Sequence, residues 1–113
     1  MSKFVEILIK RRKKQEKYFK NYLFYAKKIK KIVKEILGEG KVLIFGSILS
    51  NDVKRDIDIL IVSPKLKQQE LRYKIYSKIL DEIGIEHPFE FHFSTEKDFQ
   101  QWYIHFIKEK IEI

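Results

Sequence analysis

Lys41-Val42-Leu43-Ile44-Phe45-Gly46-Ser47, followed after an eight-residue spacer by Asp56-Ile57-Asp58-Ile59-Leu60-Ile61-Val62, is the stretch whose reading decides the fold. The run Val42-Leu43-Ile44-Phe45 predicts a buried strand. Behind it, the small Gly46-Ser47 pair lets the backbone turn tightly and come close to a phosphate, whose oxygens accept main-chain N–H bonds. Asp56 and Asp58 open a second expected strand. Residues two apart in a strand point to the same side, so the two carboxylates converge while Ile57 and Ile59 face the other way. Two negative charges held that close call for a cation between them.

Outward from this unit the pattern is helical on both sides. Over residues 15–37, Tyr18, Tyr22, Tyr25, Ile29, Ile32, Val33 and Ile36 recur at spacings of three and four, which predicts one long amphipathic helix ending at Gly38-Glu39-Gly40. Ser63-Pro64 stops the second strand, because proline has no ladder donor. Leu71, Ile75, Ile79 and Ile83 then predict a helix over 67–83, closed by Gly84. Phe89-Glu90-Phe91-His92-Phe93 alternates as a third strand, with Glu90 and His92 on the side opposite the phenylalanines. Thr95, with Asp98 three residues on, resembles a capping box for a C-terminal helix over 95–110, whose expected apolar stripe is Phe99, Trp102, Tyr103 and Phe106. The order helix, strand, strand, helix, strand, helix predicts an α/β domain, with about four helices packed on a mixed sheet of about three strands.

At 113 residues the chain is expected to form one domain, with a basic helical region over 1–37 and a core over 41–93. Hydrophobic residues make up 44% and charged residues 35%, a balance that argues against disorder and leaves no run long enough for a bilayer. Phe4 to Ile9 is shorter than a signal-peptide core and runs into Arg11-Arg12-Lys13-Lys14, so secretion is not expected. The lack of cysteine removes thiol catalysis, disulfides and zinc-thiolate sites and fits a reducing interior, so the expected location is the cytoplasm. The net charge of +8 is concentrated at one end: residues 1–37 hold thirteen Lys/Arg against three Glu, whereas 38–113 hold eleven against thirteen Asp/Glu. A basic helix interleaved with tyrosines invites a nucleic-acid reading. Tyr18, Tyr22 and Tyr25 lie on its apolar stripe, however, which favours packing, and the basic surface also suits an acidic partner or a bound nucleotide.

Glu90 is the remaining carboxylate placed to join Asp56 and Asp58 on one polar side of the sheet. Three carboxylates on neighbouring strands are suited to two Mg²⁺ ions, and the glycine turn to the phosphates those ions bridge. His92 shares the side of Glu90; a single histidine in a strand is more often a structural hydrogen-bonder, and it is left out of the expected ligand set.

Phe45-Gly46-Ser47, then Asp56-Ile57-Asp58-Ile59, then a carboxylate in a later strand resembles the minimal nucleotidyltransferases, small members of the superfamily that includes DNA polymerase beta. The resemblance covers residues 41–93 and implies a polymerase-beta palm-like fold. It implies Gly46 and Ser47 as the triphosphate turn, Asp56 and Asp58 as metal ligands, and Glu90 as the third catalytic carboxylate. Many small prokaryotic members resemble antitoxins of HEPN-domain RNase toxins, and some transfer AMP from ATP onto tyrosines of the toxin. A HEPN-domain protein is the partner this implies, with Mg²⁺ as cofactor and ATP as substrate. The chain departs from the family pattern in three ways: a shortened spacer, Ile48-Leu49 where an arginine often follows the Gly-Ser pair, and Glu in place of Asp at position 90. Arg55 or Lys54 is the expected substitute for that arginine. Two other classes stay open: a module of the same fold that neutralises its partner by contact alone, and a nucleic-acid-binding subunit. The aromatic stripes also suggest a homodimer or heterocomplex.

Overall fold

The computed structural model describes residues 2–50 and 56–113. Lys54 and Arg55, the expected phosphate contacts in the spacer, lie outside the described residues. Two helices, Lys3–Lys20 (α1) and Tyr22–Leu37 (α2), lead into a strand Lys41–Phe45 (β1) and a 3₁₀ turn Ser47–Leu49. A strand Ile57–Val62 (β2), a 3₁₀ turn Pro64–Lys67, a helix Gln69–Ile83 (α3) and a strand Phe89–Ser94 (β3) follow. The C-terminal helical stretch is built of an α turn Glu96–Asp98, a π turn Phe99–Tyr103 and an α turn Ile104–Phe106, together α4; a short strand Lys110–Glu112 (β4) comes last.

The sheet has the order β3-β2-β1-β4. β1 runs antiparallel to both β2 and β4, while β2 and β3 are parallel and connected through α3. β2 is therefore an inner strand with both sides covered, which is why its sequence is almost continuously apolar. Alternation divides the core. Val42, Ile44, Ile57, Ile59 and Ile61 pack on one side against Ile29, Ile32 and Val33 of α2 and Ile75 and Ile79 of α3. Leu43, Leu60 and Val62 face the other side, where Phe99 and Ile107 cover them.

The expected long first helix is two helices. Asn21 breaks it with backbone angles of φ −117° and ψ 34°, and both its main-chain N–H and its side-chain Nδ2 donate to the Lys17 carbonyl. A short amide side chain that competes for helical carbonyls favours such a break. Tyr18 then turns into the core, 2% exposed, and its hydroxyl donates to the Ile83 carbonyl at 2.7 Å, which ties α1 to the end of α3. Residues 2–14 of α1 are exposed throughout, Phe4, Ile7 and Leu8 included. α2 ends as expected at Gly38, whose φ of 77° is the left-handed value that favours glycine, and Lys65 Nζ donates to the Leu37 carbonyl there.

The C-terminal region differs most from the sequence expectation. Thr95 Oγ1 does accept from the Asp98 N–H, so the cap is present. The helix, however, ends at Phe106 and the chain returns as β4, a fourth strand with Ile111 opposite Ile44 and Lys110 opposite Phe45. Three residues are too few to announce a strand; the free edge of β1 decides their conformation. Nor is the aromatic stripe uniformly inward: Phe99 is buried and Tyr103 packs beside it, while Trp102 and Phe106 stack on each other at the surface. No helix among the described residues is long and apolar enough to cross a membrane.

Candidate active site

The end of β1 and the start of β2 meet in register, with Phe45 opposite Asp58. Gly46 follows with φ 88° and ψ −157°, a conformation that L side chains rarely adopt. A Cβ at this position would overlap Oδ2 of Asp58. The turn after β1 is thus pressed against the carboxylate that projects from β2. Beyond Gly46 the chain closes into the 3₁₀ turn, where Leu49 N–H donates to the Gly46 carbonyl and Ser50 N–H to that of Ser47. Ile48 of this turn is buried, which anchors the glycine turn to the core.

Parallel pairing of β2 with β3 sets Asp58 directly opposite Glu90 and Leu60 opposite His92. Residues 58, 60, 90 and 92 therefore share one side of the sheet. His92 Nε2 lies 3.3 Å from Asp58 Oδ1 and 3.9 Å from Glu90 Oε1. One donor atom from each of Asp58, Glu90 and His92 lies within 4.8 Å of the others. The Asp58 and His92 side chains are 22% and 28% exposed and that of Glu90 57%, so the cluster is half sheltered and open on the Glu90 side. The Phe45 ring stands 5.3 Å from the imidazole.

The structure therefore brings together two of the three expected carboxylates and places Gly46 against one of them. Asp56, immediately before β2, is exposed and stands outside the cluster. His92 enters the cluster although the sequence reading leaves it out; its signal was its two-residue spacing from Glu90, which only the parallel register with Asp58 turns into a contact. Beside the glycine turn is a cleft of about 400 Å³ lined by Phe45, Gly46, Ser50, Phe106, Ile107, Lys108 and Glu109. It was not legible in the sequence, because Phe106 and Lys108 reach Gly46 only when β4 returns along β1.

Two carboxylates on adjacent strands suit a divalent cation, since hard ions such as Mg²⁺ take oxygen ligands. The imidazole adds a nitrogen donor that borderline ions accept more readily. A divalent ion at this place would put positive charge next to the glycine turn and the cleft, where an anionic ligand can approach.

Residues 26–113 match the family model of the nucleotidyltransferase domain. Among solved structures, a candidate nucleotidyltransferase shares 28% identity at a TM-score of 0.64, covering 77% of this chain and 95% of its own. A second candidate nucleotidyltransferase, from Sulfolobus solfataricus, shares 24% identity at a TM-score of 0.43, covering 80% of this chain and 83% of its own. None of the curated proteins matches the sequence. Since the matched residues take in the glycine turn, the strand carboxylates and the whole sheet, the chain belongs to the nucleotidyltransferase domain family.

Proposed function

We propose that the protein transfers AMP from ATP to a hydroxyl group on a partner protein, in the manner of the MNT-type antitoxin of a HEPN-domain RNase. The observation that carries this reading is the in-register pairing of Asp58 with Glu90 beside the Gly46 turn. In the proposed reaction an acceptor oxygen attacks the α-phosphorus of ATP. The bond to the bridging α,β oxygen breaks, pyrophosphate departs, and the acceptor proton passes to a carboxylate or to water. Bound Mg²⁺ or a similar ion would lower the pKa of the acceptor hydroxyl and offset charge on the leaving group. Asp58 and Glu90 are the proposed ligands and the catalytic carboxylates. Asp56, at the exposed entrance to β2, is proposed as the ligand of a second ion on the triphosphate.

Gly46 and Ser47 form the proposed phosphate turn, and the adjoining cleft, with Lys108 on its rim and the Phe106 ring exposed, is the proposed seat of the nucleotide. Catalysis of this kind is mostly positioning and neutralisation, which a small domain can supply. A tyrosine of a HEPN-domain partner is the proposed acceptor, and the cysteine-free composition fits a cytoplasmic setting.

The test is to incubate the protein with Mg²⁺, ATP labelled at the α-phosphate and its HEPN-domain partner. Label on a partner tyrosine, lost with Asp58→Asn and with Glu90→Gln, supports the proposal. Equal labelling by the parent and both variants, or none by the parent on this or any other acceptor, overturns it.

A further inference from the structure

The role of His92 follows from where β3 lies in the sheet. Its Nε2 lies close to both carboxylates, at 3.3 Å from Asp58 Oδ1 and 3.9 Å from Glu90 Oε1. The imidazole is restrained on its other side by the Phe45 ring, and Phe45 itself lines the cleft beside Gly46. Three donors of two kinds, two oxygens and one nitrogen, thus converge from two paired strands within 4.8 Å. We infer that His92 is a direct ligand of the divalent ion held by Asp58 and Glu90, and that the site consequently prefers a borderline transition ion, Mn²⁺, over Mg²⁺.

Mg²⁺ holds its waters firmly and is bound through carboxylates and phosphates, whereas imidazole is a regular ligand of first-row transition ions. An imidazole ligand brings no negative charge of its own, which favours an ion that bonds well to nitrogen over Mg²⁺. Reach supports the arrangement. Glu90 is one methylene longer than aspartate and more exposed than Asp58 and His92, so its carboxylate would have the reach to join them on a bound ion. The competing role for His92 is structural: a hydrogen bond from Nε2–H to Asp58 that orients the carboxylate without touching the ion.

The inference rests on the proposed metal site, and the closing experiment separates the two. Mn²⁺ is titrated into the purified protein and followed by electron paramagnetic resonance, with pulsed spectra recorded for coupling to ¹⁴N. The expected result is one Mn²⁺ per chain with ¹⁴N modulation from a bound imidazole. His92→Gln should remove the modulation and weaken Mn²⁺ by about tenfold or more, leave Mg²⁺ affinity within about twofold, and keep the parent circular dichroism. The ¹⁴N signal is read on the unaltered protein, so it does not depend on a variant that folds. Mn²⁺ bound without ¹⁴N modulation, and lost in Asp58→Asn, overturns ligation by His92 and leaves the carboxylate site standing. Mn²⁺ that does not bind, or binds equally to Asp58→Asn, overturns both.

Discussion

Gly46 and Asp58 are in close contact: the carboxylate of Asp58 occupies the space a Cβ at position 46 would take. Any side chain here would be strained by the backbone and would have to displace that carboxylate. A backbone with φ 88° brings the turn onto the Asp58 carboxylate, and Phe45 opposite Asp58 in the β1–β2 register holds both ends of the contact.

Gly46→Ala should therefore impair stability and chemistry together. Left-handed strain and displacement of the Asp58 side chain are expected to cost about 1–3 kcal/mol in urea denaturation, with nucleotide transfer falling by at least about tenfold. A variant with parent midpoint and parent activity would contradict the contact.

The two neighbouring aspartates should behave differently. Asp58→Asn is expected to abolish divalent-ion binding and reduce transfer by about 100-fold or more, because its carboxylate belongs to the cluster with Glu90 and His92. Asp56→Asn is expected to reduce transfer while one ion still binds, since Asp56 stands outside that cluster. Isothermal titration with Mn²⁺ alongside a labelling assay distinguishes the two, and an Asp56→Asn protein that binds no ion would reverse the assignment.

Tyr18 holds α1 to the rest of the protein by its buried hydroxyl and by its ring, which lies 4.8 Å from that of Tyr25 and 6.0 Å from that of Phe89. Tyr18→Phe leaves the Ile83 carbonyl without its donor and should cost about 1–2 kcal/mol. Tyr18→Ala also opens a cavity and should cost about 3–5 kcal/mol. Paired denaturation curves provide the check; a Tyr18→Phe protein as stable as the parent would show that the hydroxyl carries no separate share, and equal losses for the two variants that the ring carries none.

Removing residues 1–14 should leave the midpoint of thermal unfolding almost unchanged. The described residues of this segment, 2–14, are each exposed, their ties to the remainder include a 4.0 Å exposed pair between Lys14 and Glu86 and the Arg12 guanidinium over the Phe19 ring, and the family match starts only at residue 26. Gln15, which donates to the Glu86 carbonyl, and Tyr18 are both retained. A fall in midpoint of more than about 5 °C would mean that the basic segment has a structural role.

His87 supplies a pH dependence. Its Nδ1 accepts from the Phe89 N–H at 3.1 Å, and the rings of Tyr76, Phe89 and Phe91 surround it. Burial lowers its pKa from the ordinary value of 6.5. The unfolded chain therefore takes up this proton at a higher pH than the folded protein does. Stability from this group is fully present above 6.5 and declines as the pH falls through 6.5 towards the lowered folded value. Unfolding free energies measured between about pH 5.5 and 7 should decrease towards acid, and His87→Gln should flatten the slope. Arg11 and Glu86 line a cleft with His87, so the comparison is best made at constant ionic strength.

The sequence by itself determined the strands that carry the site. The alternation of Ile57, Ile59 and Ile61 with Asp58 assigns sides of β2 without reference to any neighbour, because a strand has a period of two. Gly46, Gly38, Pro64 and the Thr95 cap act through local backbone geometry, and they lie where that geometry predicts. The helix break at Asn21 was less visible, because the apolar spacing of three and four carries on through it.

Only the tertiary structure decided which polar groups meet. Parallel register between β2 and β3 sets Asp58 opposite Glu90 and draws His92 to within 3.3 Å of Asp58, and pairing between strands remote in sequence leaves no local signal. The same holds for β4, three residues that become a strand because β1 offers an unpaired edge, and for the cleft that their return forms beside Gly46. Side-chain direction is set by the dihedral angles of each residue, so the chain encodes it locally. Proximity between strands depends on which edges pair and in what register, and that is fixed only when the whole core closes.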